Sequence, residues 1–201
     1  MTDVPPQILS EVEVREIVSR VVRRTLGVST PLPSPSSAAK LGDGREAREG
    51  VVALGADHGG FALKEALKEF VTGLGYTVVD CGTHSADPVD YPDVAYAVAR
   101  LVSERQAWRG ILVDGAGIGS AMAANKVPGV RAALCYDHAT AVNSREHNDA
   151  NVLSLGAGLI GANLARQIVQ AWLATPFGGG RHQKRVDKIV EIEKRFLKDA
   201  G

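Results

Sequence analysis

The chain has 201 residues, 45% of them hydrophobic, which suits one domain with a sizeable core and an appendage. Its 23 basic and 23 acidic residues balance, so charge gives no reason to expect nucleic acid or an anionic membrane as a partner. No apolar run is long enough to span a bilayer and no signal-peptide pattern is present, so we expect a cytoplasmic protein.

Residues 1–27 have the pattern of an amphipathic helix. A capping box of Ser10 and Glu13 favours a helix start, and Gly27 favours a stop. The apolar positions between them recur near helical spacing: Val14, Ile17, Val18, Val21, Val22 and Leu26. Residues 28–50 are rich in proline, serine, alanine and glycine, which predicts a flexible linker.

The apolar face of this predicted helix needs a partner. Three alternatives are open: it packs on the chain's own core, pairs with a second copy, or docks on another protein. A short amphipathic helix on a Pro/Ser-rich linker resembles the encapsulation peptides that direct enzymes into bacterial microcompartments. The resemblance implies a shell protein as the partner of residues 1–27 and a location inside a microcompartment.

From residue 51 onward, short apolar runs alternate with longer helical patterns. Five runs end in glycine or aspartate, as buried parallel strands do: VVALGAD, TVVDCG, GILVDG, RAALCYD and VLSLGAG. Helical patterns follow each run, and a charged helix ends the chain. Residues 51–201 are therefore predicted to form a doubly wound, three-layer α/β/α sandwich of flavodoxin or Rossmann type, with a five-stranded parallel sheet.

A ligand site is expected where the strand order of such a sheet reverses. With an order of 2-1-3-4-5, the reversal falls between the first and third strands. Asp57 and His58 follow the first strand, and Asp114 follows the third. We expect these three side chains to converge on one crevice. The alternatives are a helix cap for Asp57 and a packed core histidine for His58.

The turn GAGIGS, residues 115–120, lies at this crevice. It is not the dinucleotide fingerprint, because its third glycine comes one position too early. Glycines at a helix start leave backbone N–H groups bare, which suits an anion; the alternative is an ordinary tight turn. Asp114 beside it is open to three interpretations: a catalytic base, a replacement for a different base, or a loop cap.

Two further segments are rich in polar side chains. SREHNDANVL carries His147 and Asn148 just before a strand, and FGGGRHQKRV carries Arg181 and Arg185 around a glycine turn. The two arginines are four residues apart, so on a helix they point the same way and can fork onto a phosphate. The alternative is a solvated basic patch.

Five motifs occur together here: GADHGGFALK, DYPD, GAGIGSAMAANKVPGVRAAL, REHNDANVLSLG and GGRHQKRV. They resemble the sugar-phosphate isomerase family that includes ribose-5-phosphate isomerase B and the galactose-6-phosphate isomerase subunits. The resemblance implies interconversion of a phosphorylated aldose and ketose through an enediolate, without metal or nucleotide cofactor. Asp57 and His58 would then contact the sugar and its phosphate end, and Tyr91 would line the pocket. The turn would give backbone donors to the enediolate: Gly115, Ala116, Gly117, Ile118 and Gly119.

The resemblance also assigns the two polar segments. His147 would open the sugar ring as acid and base, and Asn148 would bind the sugar. Arg181 and Arg185 would hold the phosphate. In the family the site forms between subunits, which implies a homodimer, or a tetramer, with His147 and Asn148 supplied across the interface.

Four positions depart from the family pattern, among them Ala116, where a threonine is frequent. Many members carry a cysteine base where this chain has Asp114, and another branch carries a glutamate where it has Ser120. Gly158 stands where many members have an arginine that helps to bind phosphate. Asp114 is therefore either the base itself, since a carboxylate is competent for this chemistry, or the mark of a non-catalytic subunit. Ribose 5-phosphate is the first expectation for the substrate, and a different four- to six-carbon sugar phosphate is the alternative.

Overall fold

The structure, a computed structural model, describes residues 50–198. The predicted helix over residues 1–27 and nearly all of the predicted linker lie outside the described residues. Five strands are described: β1 (Val51–Ala56), β2 (Thr77–Asp80), β3 (Arg109–Asp114), β4 (Ala132–Leu134) and β5 (Val152–Gly156). Six helices are described: α1 (Phe61–Gly73), α2 (Tyr91–Ser103), α3 (Ile118–Ala124), α4 (His138–Glu146), α5 (Ala162–Ala174) and α6 (Gln183–Lys198).

All five strands are parallel, in the order β2-β1-β3-β5-β4. The expected order 2-1-3-4-5 is wrong at its last two positions. The physical reason is burial: β5 is buried along its whole length, whereas the three residues of β4 are only half-buried, so the short strand takes the edge. The order still reverses between β1 and β3, and Asp114 now pairs with Gly156 of β5.

Helices cover both faces of the sheet. Leu67 of α1, Ala141 of α4 and Trp172 of α5 belong to the core on one face. Val98 of α2 and Ala124 of α3 belong to the core on the other. The predicted three-layer, doubly wound architecture is confirmed. No helix within residues 50–198 is long and apolar enough to cross a bilayer.

Candidate active site

The loops that follow β1 and β3 lie against each other at the carboxyl edge of the sheet. The amide of Asp57 donates to the carbonyl of Val113 at 3.2 Å. A Cβ on Gly60 would lie 2.2 Å from that carbonyl oxygen, so only glycine allows the start of α1 to sit this close to β3. Oδ1 of Asp57 accepts from the amide of Gly60 at 3.0 Å, which makes Asp57 a loop-capping residue in the crevice.

Asp114 ends β3 with its side chain in this crevice and is 5% exposed. Its Oδ1 accepts hydrogen bonds from the amides of Ala116, at 2.8 Å, and Gly117. Its Oδ2 accepts from the amide of Ser120 at 3.0 Å. A carboxylate offers about four lone-pair sites, so three are used and one remains on Oδ2. Asp114 is thus a loop cap that keeps one site for a proton.

The glycine-rich turn is shaped by this carboxylate. Two amides that were expected to face an anion, those of Ala116 and Gly117, point at Asp114 instead. The amides of Ile118 and Gly119 open the first turn of α3, where the helix offers them no acceptor. These two are the turn donors that suit an anionic oxygen in the crevice. Gly115 is exposed at the rim of the turn.

Glycines at two positions of the turn are required by close contacts. Gly117 has a left-handed φ of 78°, and a Cβ there would lie 2.5 Å from Cδ1 of Leu134. A Cβ on Gly119 would lie 2.5 Å from ring carbons of Tyr91. The Tyr91 ring, 42% exposed, therefore lies over the start of α3, as a wall of the crevice. His58 is exposed beside the crevice, and its Nδ1 accepts from the amide of Val89 at 3.3 Å.

Because β5 lies next to β3, the loop after β5 joins the crevice. The amide of Gly158 donates to the carbonyl of Gly115 at 2.9 Å. Two side chains that the sequence interpretation missed also hold the turn. Tyr136 donates its hydroxyl to the carbonyl of Ala116 at 2.7 Å, and Ser154 donates to the carbonyl of Gly117 at 2.6 Å. Ser154 is the one polar side chain of the buried β5, which was the available signal.

His147 lies at the opposite edge of the sheet. Helix α4 begins just after the carboxyl end of β4 and runs back towards the amino end of β5, and His147 caps its C-terminus. Nine residues of helix span about 14 Å. Within one chain, the structure therefore brings together Asp57, His58, Tyr91 and Asp114, but places His147 and Asn148 away from them.

The surroundings of His147 form a second group, which we call the histidine cluster: Asn143, His147, Asn148, Arg181, His182 and Arg185. The rings of His147 and His182 stack with centroids 4.1 Å apart and planes 9° apart. Nδ2 of Asn143 lies 2.8 Å from Nδ1 of His147. Nδ2 of Asn148, an exposed residue, lies 3.4 Å from the carbonyl oxygen of Asn143.

The arginines of the cluster do not share one helix. Helix α6 begins at Gln183, so Arg181 precedes it and Arg185 lies in its first turn; the helical spacing argument does not apply. Nε of Arg181 nevertheless donates to Nε2 of His182 at 3.3 Å. Burial of His182 lowers its pKa, and the electrostatic effects of its neighbours His147, Arg181 and Arg185 lower it further. The cluster is therefore a cationic surface around a neutral imidazole.

No three His, Cys, Asp or Glu side chains within residues 50–198 cluster in a way that could hold a metal ion. A cavity of about 360 Å³ lies beside α4, bordered by Cys135, Thr140, Asn143 and Asn148 among others. Asp114 does not line this cavity; it lies in the separate crevice between the loops that follow β1 and β3.

These two groups define an enzyme of acid–base chemistry on an anionic substrate. Proton abstraction is suited to a carboxylate with one open lone pair beside unpaired backbone amides. Proton transfer and phosphate binding are suited to an imidazole beside guanidinium groups. The profile of the Ribose/Galactose Isomerase family matches residues 52–189, and the chain belongs to this family. It is an aldose–ketose isomerase of sugar phosphates.

Two relatives and one solved structure show the extent of the similarity. Ribose-5-phosphate isomerase B of Escherichia coli is 44% identical over 72% of this chain and 97% of its own. D-erythrulose-4-phosphate isomerase of Pectobacterium atrosepticum is 42% identical over 71% of this chain and 94% of its own. The structure of ribose-5-phosphate isomerase B from Clostridium thermocellum superposes with a TM-score of 0.72 and 49% identity, covering 73% of this chain and 99% of that one.

Proposed function

We propose that this isomerase interconverts ribose 5-phosphate and ribulose 5-phosphate, with Asp114 as the base. The observation that carries the proposal is the position of Asp114: a buried carboxylate with one open lone pair on Oδ2, next to bare amides. The names of the Escherichia coli and Clostridium thermocellum proteins favour the five-carbon substrate.

Asp114 moves one proton between neighbouring carbons. Its Oδ2 takes the proton from the carbon beside the carbonyl, and the resulting enediolate carries its negative charge near the amides of Ile118 and Gly119. The same carboxyl group returns the proton to the adjacent carbon, while the hydroxyl proton passes from one oxygen of the enediolate to the other. The amides of Ala116, Gly117 and Ser120 hold the carboxylate in place, so it does not rotate away between the two transfers.

The histidine cluster supplies ring opening and phosphate binding. His147 gives its proton to the ring oxygen while the bond from C1 to that oxygen breaks, and then takes the proton of the anomeric hydroxyl as the carbonyl forms. Asn148 binds the sugar hydroxyls, and Arg181 and Arg185 hold the phosphate. The binding energy of the phosphate positions the reacting carbons at Asp114.

We infer that crevice and cluster meet across the interface of a homodimer, either alone or within a tetramer. In one chain they lie at opposite edges of the sheet, yet one substrate needs both. A two-fold axis that brings the cluster of one protomer to the crevice of its partner makes two equal sites.

A panel of sugar phosphates tests the proposal. Purified protein is incubated with ribose 5-phosphate, D-erythrulose 4-phosphate and a six-carbon aldose 6-phosphate, and the isomerised products are quantified. We expect the highest kcat/KM with ribose 5-phosphate. A preference for D-erythrulose 4-phosphate, the substrate in the name of the Pectobacterium relative, would make that compound the substrate instead of ribose 5-phosphate. Turnover only after addition of a cysteine-bearing homologue would show a non-catalytic subunit.

We propose further that residues 1–27 carry the enzyme into a bacterial microcompartment by binding a shell protein. The family match begins at residue 52, so the apolar positions of this segment lie outside the isomerase part of the chain. Deletion of residues 1–50 tests this role. We expect unchanged activity and oligomeric state, but loss of co-sedimentation with purified shells. A changed oligomer or a lower melting temperature would instead assign the segment to the enzyme itself.

A further inference from the structure

Two side chains without a role in the proposed reaction hold the imidazole of His147. Asn143, one helical turn earlier on α4, places Nδ2 at 2.8 Å from Nδ1 of His147, within hydrogen-bonding distance. His182, which is 8% exposed, stacks its ring on the face of His147 at 4.1 Å. Asn143 thus contacts one atom at the edge of the His147 ring, and His182 covers one face of that ring.

We propose that Asn143 and His182 are positioning residues for His147, the first fixing its tautomer and the second the plane of its ring. The proposal rests on the ring-opening role of His147 given above. Neither residue is proposed to touch the substrate. Both act on ring opening and not on the proton transfer at Asp114.

The hydrogen bond of Asn143 determines where His147 carries its proton. The amide nitrogen of Asn143 has hydrogens to give and no lone pair to accept with, so Nδ1 of His147 is the acceptor. A neutral imidazole then holds its proton on Nε2. Because Nδ1 is occupied, Nε2 is the ring nitrogen that gives a proton to the sugar ring oxygen.

His182 is suited to be a neutral platform. Its Nε2 accepts from Nε of Arg181, which places its own proton on Nδ1, a buried atom that has no hydrogen-bond partner among the described residues. The charged groups that face it are the cations Arg181 and Arg185 and the anion Glu146, and the titratable ring of His147 stacks on it. The neutral ring of His182 therefore covers one face of His147 and holds the plane of that ring without adding a charge beside it.

The chemistry of the two sugars separates positioning from a merely structural role. Ribose 5-phosphate closes a five-membered ring through O4, so its isomerisation requires ring opening. Ribulose 5-phosphate stays open, because O5, the oxygen that would close its ring, carries the phosphate. Exchange of its C1 hydrogen with solvent deuterium therefore reports proton abstraction at Asp114 alone, since a monoprotic carboxylic acid exchanges its proton with water.

The test compares Asn143→Leu with the wild-type protein in both assays. We expect turnover of ribose 5-phosphate to fall about tenfold or more, as for loss of a correctly protonated general acid, while C1 exchange of ribulose 5-phosphate in D₂O is unchanged. His182→Ala should behave in the same way, whereas His182→Phe, which keeps a flat ring, should retain most turnover. Asn163→Leu, the same replacement at an exposed position of α5, should match the wild type in both assays.

Three results would overturn the proposal: equal losses in both assays, no loss in either, or ¹⁵N NMR shifts that place the proton of wild-type His147 on Nδ1. If the wild-type protein turns over no sugar phosphate, the proposed function fails. The positioning of His147 is then decided by the NMR spectrum alone, where Nε2–H in the wild type and a mixture of tautomers in Asn143→Leu is the expected result.

Discussion

The two edges of the sheet hold their polar side chains by different means. At the carboxyl edge, three backbone amides fix the carboxylate of Asp114, and Gly60 and Gly117 are packed too closely for any side chain. At the amino edge, a stacked ring and side-chain hydrogen bonds hold His147, and its neighbours Asn148 and Arg181 are exposed. The proposed base is therefore held by the backbone of its own chain, whereas the proposed ring-opening histidine is held by side chains on an exposed surface.

The largest effect is expected at the crevice. Asp114→Asn removes the base and should lower kcat by about 10²–10⁴-fold for both sugars, in both directions. In the variant, a side-chain NH₂ group stands where Oδ2 of the wild type accepts a backbone N–H, so two donors face each other. We therefore expect a loss of about 1–3 kcal/mol of stability. Kinetics and urea unfolding measure the two effects. Asp137→Ala, at a capping aspartate of α4, is the control and should lose about 1 kcal/mol of stability but little activity.

Wild-type kcat in Asp114→Asn would show that the carboxylate is a cap and nothing more. A loss of activity that merely follows the fraction unfolded would lead to the same conclusion. Either result would break the contrast between the two edges, because the crevice would then be a scaffold without a base.

A smaller effect is expected at the cluster. Arg185→Ala removes a charge-assisted contact to phosphate, which is worth about 1.5–3 kcal/mol, so kcat/KM should fall roughly 10–100-fold. The fall should appear mainly in KM, since the arginine binds substrate and transition state alike. Lys188→Ala, at another exposed cation of α6, is the control. Equal losses for the two variants would mean a diffuse basic patch rather than a phosphate contact.

The smallest effect on activity is expected at Asp80, behind the crevice. Burial tends to raise its pKa, but hydrogen bonds from Lys64, the amide of Gly82 and Lys68 lower it to about 2. Because the folded pKa lies below the ordinary value of 3.8, this carboxylate stabilises the fold above that value and loses its contribution as pH falls from about 4 to 2. We expect Asp80→Asn to cost about 2 kcal/mol at pH 7.

Urea unfolding at pH 7 and at pH 2 checks this assignment. The difference between wild type and Asp80→Asn should be largest at pH 7 and should nearly vanish at pH 2. A difference that is the same at both pH values would contradict the assignment. Activity per folded molecule should stay within a few-fold of wild type, because Asp80 is paired with Lys64 and Lys68, away from the reacting atoms.

Sequence patterns predict the layers of this fold but not which strands are neighbours in the sheet. Apolar runs ending in glycine or aspartate located all five strands, because buried parallel strands have that composition. They could not order β4 and β5, since strand pairing depends on burial and length in three dimensions. The resemblance supplied the family, which the profile match to residues 52–189 confirms.

The residue types of the candidate site were predictable from sequence patterns, whereas its division into two groups was expected only from the family resemblance. Asp57 and Asp114 follow neighbouring strands, so topology alone brings them together. The separation of His147 depends on the direction and length of α4, which spacing in the sequence does not give. Asn143 was, like Ser154, a missed residue with a signal: it lies four positions before His147, where helical side chains meet.

Mixing two inactive variants tests most directly whether a site is shared between chains. Asp114→Asn and His147→Asn are each purified, unfolded together, refolded and assayed with ribose 5-phosphate. We predict about one quarter of wild-type activity, because half of randomly formed dimers are mixed and each of these holds one intact site of two. A mixture as inactive as its two components, with mixed dimers demonstrated by mass spectrometry, would contradict a site built from the crevice of one protomer and the histidine cluster of its partner.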